Sequence, residues 1–232
     1  MKSRKAVQKI FSEVPPTYDA INHLITFGMD ILWRKKLAGM ATRIPGKRIL
    51  DVCCGTGELL AMLHRCDPSN PSIFGLDQSA SMLAVARAKK RDPGATFIQS
   101  DAAKLPFRDT SLDIITLSFA SRNLRLSDGV FDGILGELYR VLVPGGQLLH
   151  LETSQPGPAA IRRLLKAYLR YWVKPAGSTI SGSKAGYAYL AGTIPTFYNP
   201  EQLTGRIQTA GFSQITVQKL LWGIAAIHCA VK

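Results

Sequence analysis

ILDVCCGTGELL, residues 49–60, is the stretch whose reading decides the fold. A short apolar run (Ile49, Leu50, Val52) ends in two cysteines and Gly55-Thr56-Gly57, and the Glu58, Leu59 and Leu60 that follow favour helix. Strand, glycine turn and helix in that order form the first unit of a nucleotide-binding α/β sheet. Gly55 and Gly57 let the backbone come closer to a ligand than a Cβ would allow.

Three details around this loop select the ligand. The dinucleotide fingerprint asks for a third small residue three places after the second glycine, where this chain has Leu60. Asp51 ends the strand, where its charge would repel a pyrophosphate on the helix N-terminus but suit a cation. Asp77 follows the apolar run Ile73-Phe74-Gly75-Leu76, twenty residues past Gly57, and is placed to accept hydrogen bonds from both hydroxyls of a ribose. S-adenosyl-L-methionine is cationic, carries a ribose and lacks phosphate, so it fits better than a nicotinamide or a flavin. Gly55, Thr56 and Gly57 would form its cradle, with Asp51, Asp77 and the adjacent Gln78 around it.

The bulk numbers bound the rest. A chain of 232 residues makes one domain with a full core. Hydrophobic content of 46% with a mean hydropathy near zero reads as a soluble globular chain. No run of apolar residues is long enough to span a bilayer, and the N-terminal stretch has no apolar core like that of a signal peptide. Cys53, Cys54, Cys66 and Cys229 have neither metal-ligand nor disulfide-framework spacing, which suggests reduced cysteines and a cytoplasmic location. A net charge of +13 implies an acidic surface among the partners, nucleic acid and anionic lipid being the two candidates.

Residues 1–45 read as a helical extension, with helix over 2–11, a break at Pro15-Pro16, and further helix over 22–27 and 30–40. Tyr18 and Asp19 are candidates for a lid over the site, or Tyr18 serves the core. Ser79 caps a helix to about residue 90, residues 95–99 form the third strand, and Asp101-Ala102 at its end would meet the adenine. Residues 112–117 form the fourth strand, tipped by Ser118, a further cofactor contact. Ser127 or Asp128 starts the next helix, and Pro144-Gly145-Gly146 reads as a breaker before strand five over 147–151.

Residues 153–198 depart from the alternation and read as a lid. A helix over 158–172 carries Ile161, Leu164, Leu165, Tyr168, Leu169 and Trp172 on one stripe, with Arg162, Arg163, Lys166 and Arg170 off it. Such a helix can cover the domain, lie on a membrane, or do both. Asn199-Pro200 opens a last helix, and residues 213–220 and 224–231 close the sheet.

Alternating strands and helices around a glycine loop resemble a class I methyltransferase. Narrower motifs resemble the ubiquinone/menaquinone biosynthesis C-methyltransferases: Tyr18-Asp19-Ala20-Ile21-Asn22 with Trp33, Ser118-Phe119 and Arg122-Asn123, Arg140 through Gly146 continuing to Glu152-Thr153-Ser154, and Tyr187-Ala188-Tyr189-Leu190. DVCCGT and LETSQP are worded more like the demethylmenaquinone members than the ubiquinone ones. The resemblance implies a single domain over residues 1–232, with a Rossmann-like, seven-stranded, mostly parallel sheet and helices on both faces. The implied reaction is transfer of a methyl group from adenosylmethionine to a ring carbon of a polyprenyl hydroquinone, demethylmenaquinol or a ubiquinone-branch benzoquinol. Ile21, Thr26, Asp30, Ala120-Ser121 and Gly192 stand where the family usually has other residues, and these departures bear on the quinone pocket.

Such a reaction needs a phenol ionised near neutrality, although a free phenol titrates near 10. Arg122 would stabilise the phenolate, since a guanidinium is a poor base but a strong anion partner. Asn123 would orient the hydroxyl, and Tyr18 or a carboxylate would complete the proton path. His23 is a weaker candidate, because a lone helical histidine is more often structural. No metal-ligand set is suggested. The expected partners are a lipid quinol and a transient anionic membrane surface, which would make the protein peripheral to the membrane, and a homodimer is allowed. Two other classes compete. A nucleic-acid methyltransferase would suit the charge, but this chain lacks an amine-methylating motif after strand four, and intact Asp51, Asp77 and Arg122 argue against a non-catalytic adenosylmethionine-binding protein.

Overall fold

In a computed structural model, the structure describes residues 18–70, 72–89, 94–173 and 192–232. The expected helix over 2–11, the Pro15-Pro16 break and the Tyr187–Leu190 motif lie outside them. Two helices, α1 (Tyr18–Ile25) and α2 (Met29–Ala41), precede β1 (Ile49–Val52), α3 (Glu58–Cys66), β2 (Ile73–Asp77), α4 (Ala80–Ala88) and β3 (Thr96–Gln99). Then follow β4 (Leu112–Ser118), α5 (Ser121–Leu124), α6 (Asp128–Val141), β5 (Leu142–Thr153), α7 (Ala159–Tyr168), α8 (Pro200–Thr209), β6 (Ser213–Leu220) and β7 (Ala225–Val231). The strands form one seven-stranded sheet in the order β3-β2-β1-β4-β5-β7-β6, with β7 antiparallel to its neighbours. The order reverses between β1 and β4, and the carboxyl ends beside that point are where such sheets bind ligands.

Alternation along the strands builds two cores. Leu50, Val52, Ile115, Leu117 and Leu148 face one side and pack with Phe131, Leu135 and Leu138 of α6. Ile49, Ile114, Leu149 and Leu151 face the other and pack with Trp33 and Leu37 of α2 and Leu59, Leu60 and Leu63 of α3. Because helices cover both faces, the strands read as continuous apolar runs. Local capping agrees: Ser79 accepts from the Met82 N–H, Ser127 accepts from the Val130 N–H, and Asn199 and Gln202 form a capping box with Pro200 at the first helical position.

Leu60, which breaks the dinucleotide fingerprint, is explained by β2. A Cβ added to Gly75 would lie 2.4 Å from Leu60 Cδ1 and 3.1 Å from Cys54 Sγ. Close packing of helix on strand thus needs one small residue at the crossing, and here the strand supplies it instead of the helix.

Two expectations change. Pro144-Gly145-Gly146 does not precede β5 but lies within it, as an irregularity in the pairing with β4. Gly145, at φ 78°, donates its N–H to Lys232, whose own N–H reaches Gly146, so the edge stays bonded. The expected helix over 158–172 ends at Tyr168 and passes into a π-helical turn, Leu169–Val173. Its stripe is only partly used: Leu165 and Leu169, with Val173 just beyond it, pack with Ile21 and Ile25 of α1 and Ile194, whereas Leu164 and Trp172 stay exposed. The surface that α1 offers is narrower than the stripe. No helix among the described residues is long and apolar enough to cross a membrane.

Gly75→Ala should destabilise the fold by about 1–3 kcal/mol through overpacking. Trimming the opposing side chain, Leu60→Ala, should be partly compensated in the double variant. Denaturant unfolding of the four chains checks this, and strictly additive losses would show that Gly75 and Leu60 are not in conflict.

Candidate active site

Two cavities meet at the carboxyl end of the sheet. The first is lined by Cys53, Gly55, Asp77, Gln78, Ser79, Met82, Asp101, Ala102, Ser118, Phe119 and Asn123, among others. The tips of β1, β2, β3 and β4 thus converge on one space. Gly55, Asp77, Gln78, Asp101, Ala102 and Ser118 are brought together as the sequence predicts. Asp77 organises this space, its Oδ2 accepting the Gly55 N–H at 2.9 Å and its Oδ1 the Ser79 N–H at 2.8 Å. Burial raises its carboxyl above the ordinary value, and the backbone N–H groups hold the rise in check. Each oxygen keeps a lone pair that a ribose hydroxyl could use. Gly55 has φ 55°, and a Cβ there would meet no protein atom, so its side-chain position is left to the ligand. On the far side, Asp101 Oδ1 accepts the Ala103 N–H at 2.9 Å, which fixes the turn that holds Ala102.

Thr56, Gly57 and Asp51 do not line this cavity. The Thr56 hydroxyl donates to Asp19 Oδ1 at 2.6 Å, and Asp19 also pairs with Lys89, which reaches Glu58 Oε1 at 2.7 Å. These bonds fasten α1 over the glycine loop, so Thr56 carries the lid instead of the ligand. Gly57, at φ 78°, shapes the turn and packs on Ala86. Asp51 lies buried behind the cavity, its Oδ1 accepting from Thr116 at 2.8 Å. Burial drives its carboxyl up to about 7 against the Thr116 hydrogen bond and the Arg34 charge. Cys53 lines the cavity with φ 56° and Cys54 sits below it; burial pushes both thiols far up, which leaves them as packing groups and not nucleophiles.

The second cavity is larger, about 420 Å³, and mostly apolar, with Ile25, Phe27, Met29, Trp33, Ile161, Leu165, Tyr168, Leu169 and Trp222 in its wall. Its polar lining includes Asn22, Thr26, Asp30, Arg34, Arg122 and Thr153. Phe119 lines both cavities and separates them, held at φ 56° on the tip of β4 with the Arg34 guanidinium 4.9 Å from its ring centre.

Arg122 enters the apolar cavity from α5. Its Nε donates to Glu152 Oε1 at 2.8 Å, and both side chains are buried. One residue earlier, the Ser121 hydroxyl meets His150 Nε2 at 2.5 Å. His150 and Glu152 share one face of β5, so two side-chain pairs clamp the short helix to the strand. Burial and the neighbouring His228 press His150 down to about 3, which keeps it neutral and structural. Asn123 turns the other way and lines the first cavity, not the apolar one, so it does not share Arg122's surroundings. Tyr18 opens α1, but its side chain lies outside the described residues. His23 faces Asp30 at 2.9 Å, and Thr26 donates to the same carboxylate at 2.6 Å, with Arg34 beside it at 2.5 Å. Thr26 and Asp30, two of the departures from the family pattern, are therefore partners in one cluster. Although burial raises the Asp30 carboxyl, the Thr26 hydrogen bond and the Arg34 charge carry it below the ordinary range.

Among the described residues, the side-chain atoms buried without a hydrogen-bond partner include Asp51 Oδ2, Asn123 Oδ1 and Arg122 Nη1, besides others such as His150 Nδ1 and Ser154 Oγ. Buried polar atoms of this kind are rare unless a ligand or water completes them. A nucleoside in the first cavity could meet Asn123 Oδ1 and an oxyanion in the second could meet Arg122 Nη1, whereas Asp51 Oδ2 lies behind the first cavity. Sequence reasoning missed Glu152 and Phe119 as site-builders and Gly75 as the packing residue.

The whole chain, residues 1–232, matches the ubiE/COQ5 methyltransferase family. A demethylmenaquinone methyltransferase of Thermus thermophilus is 38% identical over 94% of this chain and 98% of its own length. The ubiquinone/menaquinone biosynthesis C-methyltransferase UbiE of Desulfotalea psychrophila is 33% identical over 97% of this chain and 90% of its own. Among solved structures, a SAM-dependent methyltransferase from Aquifex aeolicus superposes with a TM-score of 0.62 at 14% identity, covering all of both chains. That likeness concerns the fold.

Asp51 makes stability depend on pH. Its folded carboxyl titrates near 7, whereas an unfolded aspartate titrates near 3.9. The folded state therefore holds the proton longer, and its relative stability is full below about pH 4 and lost as pH rises through about 7. Each unit in that window is worth about 1.4 kcal/mol. Denaturant midpoints of the ligand-free protein between pH 5 and 7 should fall with pH, and Asp51→Asn should flatten the slope. An equal slope in both chains would assign the titration elsewhere.

Proposed function

The chain belongs to the ubiE/COQ5 methyltransferase family and is an adenosylmethionine-dependent methyltransferase, and we propose that it methylates a ring carbon of a polyprenyl hydroquinone, converting demethylmenaquinol to menaquinol. The observation that carries this reading is the apolar cavity with a buried guanidinium in its wall, one phenylalanine away from the cavity that Asp77 and Asp101 line. A naphthol ring with an isoprenoid tail needs an apolar space of this kind, and its hydroxyl needs one cation. The relatives named demethylmenaquinone methyltransferase support the same substrate.

When bound, adenosylmethionine supplies an electrophilic methyl group. The chain must supply the nucleophile, its orientation and a dry surrounding. Arg122 Nη1 is the free arm of a guanidinium whose Nε is already fixed on Glu152, so it can meet a phenolate oxygen with little loss of freedom. Ionising the hydroxyl puts electron density on the ring carbon beside it. Phe119 and Trp33 hold the ring's plane and exclude water. The hydroquinone loses its hydroxyl proton before transfer and the ring proton from the new C–CH3 carbon afterwards, and the oxygen regains a proton as the ring rearomatises, so one proton leaves per turnover. Asp30 is the one carboxylate among the described residues lining this cavity, and His23 behind it, partly exposed, leads towards solvent. This cluster is the proton exit.

The reading is tested by incubating the protein with labelled adenosylmethionine and reduced demethylmenaquinone, with tRNA in a parallel reaction. Label should appear as a carbon-bound methyl on the quinone and not in the RNA; label in the RNA alone would sink the reading. Arg122→Ala should lower turnover by about 10²–10³ with adenosylmethionine affinity nearly unchanged. That variant also strands Glu152, at a stability cost of about 3–5 kcal/mol. Arg122→Met combined with Glu152→Gln should recover stability but not turnover, and a recovered rate would make the arginine purely structural.

Asp77→Ala tests the cofactor side. It should weaken adenosylmethionine binding by about 1.5–3 kcal/mol for each charge-assisted hydrogen bond lost. Titration calorimetry showing wild-type affinity would remove Asp77 from the site.

A further inference from the structure

Five large apolar side chains from four segments stand exposed around the mouth of the apolar cavity. Phe27 lies in the turn between α1 and α2, Leu164 on α7, Trp172 in the π-helical turn beyond it, and Leu221 and Trp222 in the β6–β7 connection. All but Trp172 line the cavity, and Trp172 stacks on Phe27 with ring centroids 6.1 Å apart. Phe27 and Trp222 are 70% and 71% exposed. Both also hold positive φ, 51° and 54°, as does Leu221 at 44°. Bulky residues rarely adopt that conformation. A chain that kept this rim in water would bear backbone strain and an exposed apolar patch with no return.

The charge beside the rim chooses the partner. Arg163, Lys166 and Arg170 are exposed on α7 and the turn after it, while Arg162 is engaged with the Pro156 and Gly157 carbonyls. No aspartate or glutamate occurs in residues 153–200. A second copy of the chain would bring the same basic residues and the same net charge of +13 to this face, and like charges would oppose the contact. An anionic bilayer offers head groups for the basic residues and acyl chains for the rim, and tryptophan is favoured at that boundary.

We propose that this rim is a membrane-docking surface, in which Phe27 and Trp222 enter the acyl region of an anionic bilayer and the cavity mouth opens directly into the lipid. The inference rests on the quinol reading and deepens it, since a tailed ring could then pass from bilayer to site without crossing water. Phe27, at the turn after α1, and Trp222, after β6, would be the two tips that enter, with α7 lying between them and the head groups.

The test uses the whole chain and quinone-free vesicles of equimolar phosphatidylcholine and phosphatidylglycerol with brominated acyl chains. Tryptophan fluorescence should be quenched, and the binding should weaken with salt. Trp222→Phe should keep cosedimentation yet lose most of the quenching. Phe27→Ser combined with Trp222→Ser should weaken cosedimentation about tenfold or more. Unchanged cosedimentation of the double variant would overturn the proposal. So would a lipid-free dimer that the same double variant splits, because the rim would then be a subunit interface. Quenching by vesicles from a protein that methylates no quinol would defeat the proposed function but not the docking, whereas methylation of a tail-less naphthoquinol without quenching would defeat the docking alone.

Discussion

The contact on which the site depends is the buried ion pair between Arg122 and Glu152. Neither charge would be tolerated alone at that depth, and removing one would strand the other. α5, the helix that carries Arg122, has only four residues and no propensity to stand by itself. It is held because Glu152 takes Arg122 while His150, on the same face of β5, takes Ser121. Glu152 in turn accepts the Thr153 N–H and hydroxyl, so its oxygens are oriented before Arg122 arrives. The guanidinium reaches the apolar cavity with one arm spent and one free. Structure and chemistry thus share a residue.

Phe119 decides what that arm can do. At the tip of β4 it forms a wall common to both cavities, with Trp33 and Arg34 of α2 against it. On one side stand carboxylates and backbone N–H groups suited to a nucleoside, and on the other an apolar space with Arg122 and the Asp30–Arg34 pair in its wall. Under the proposed function, this separation would keep the cationic cofactor and the phenolate in different surroundings until they meet at the partition. α1 closes the arrangement through Asp19, which ties the lid to Thr56 and Lys89.

Much of this was legible in the chain. The glycine loop, the acid at the end of β2, the serine and asparagine caps and the closing β6 and β7 follow from local rules that act over a few residues. The first cavity follows from the same rules, because the switch point of a parallel sheet gathers strand tips wherever they fall in sequence. What was not legible depends on pairings across the sheet. Nothing local announces that Gly75 makes room for Leu60, that Thr56 serves Asp19 and not the ligand, or that Asn123 and Arg122, adjacent in sequence, face different cavities. How much of the 158–172 stripe is covered was not legible either, because helical periodicity gives a face but not the width of what covers it. Leu164 and Trp172 are the excess.

The central claim is that Arg122 stabilises a phenolate in the apolar cavity, and the acidity of a bound phenol tests it most directly. A naphthol whose ionised form absorbs at longer wavelength can be titrated in the presence of saturating protein and S-adenosylhomocysteine. The account predicts that its apparent pKa falls by about one unit or more on binding to the wild-type chain. The fall should vanish in the Arg122→Met, Glu152→Gln double variant. A bound naphthol that titrates as it does in water, or one that shifts equally in both proteins, would contradict the claim.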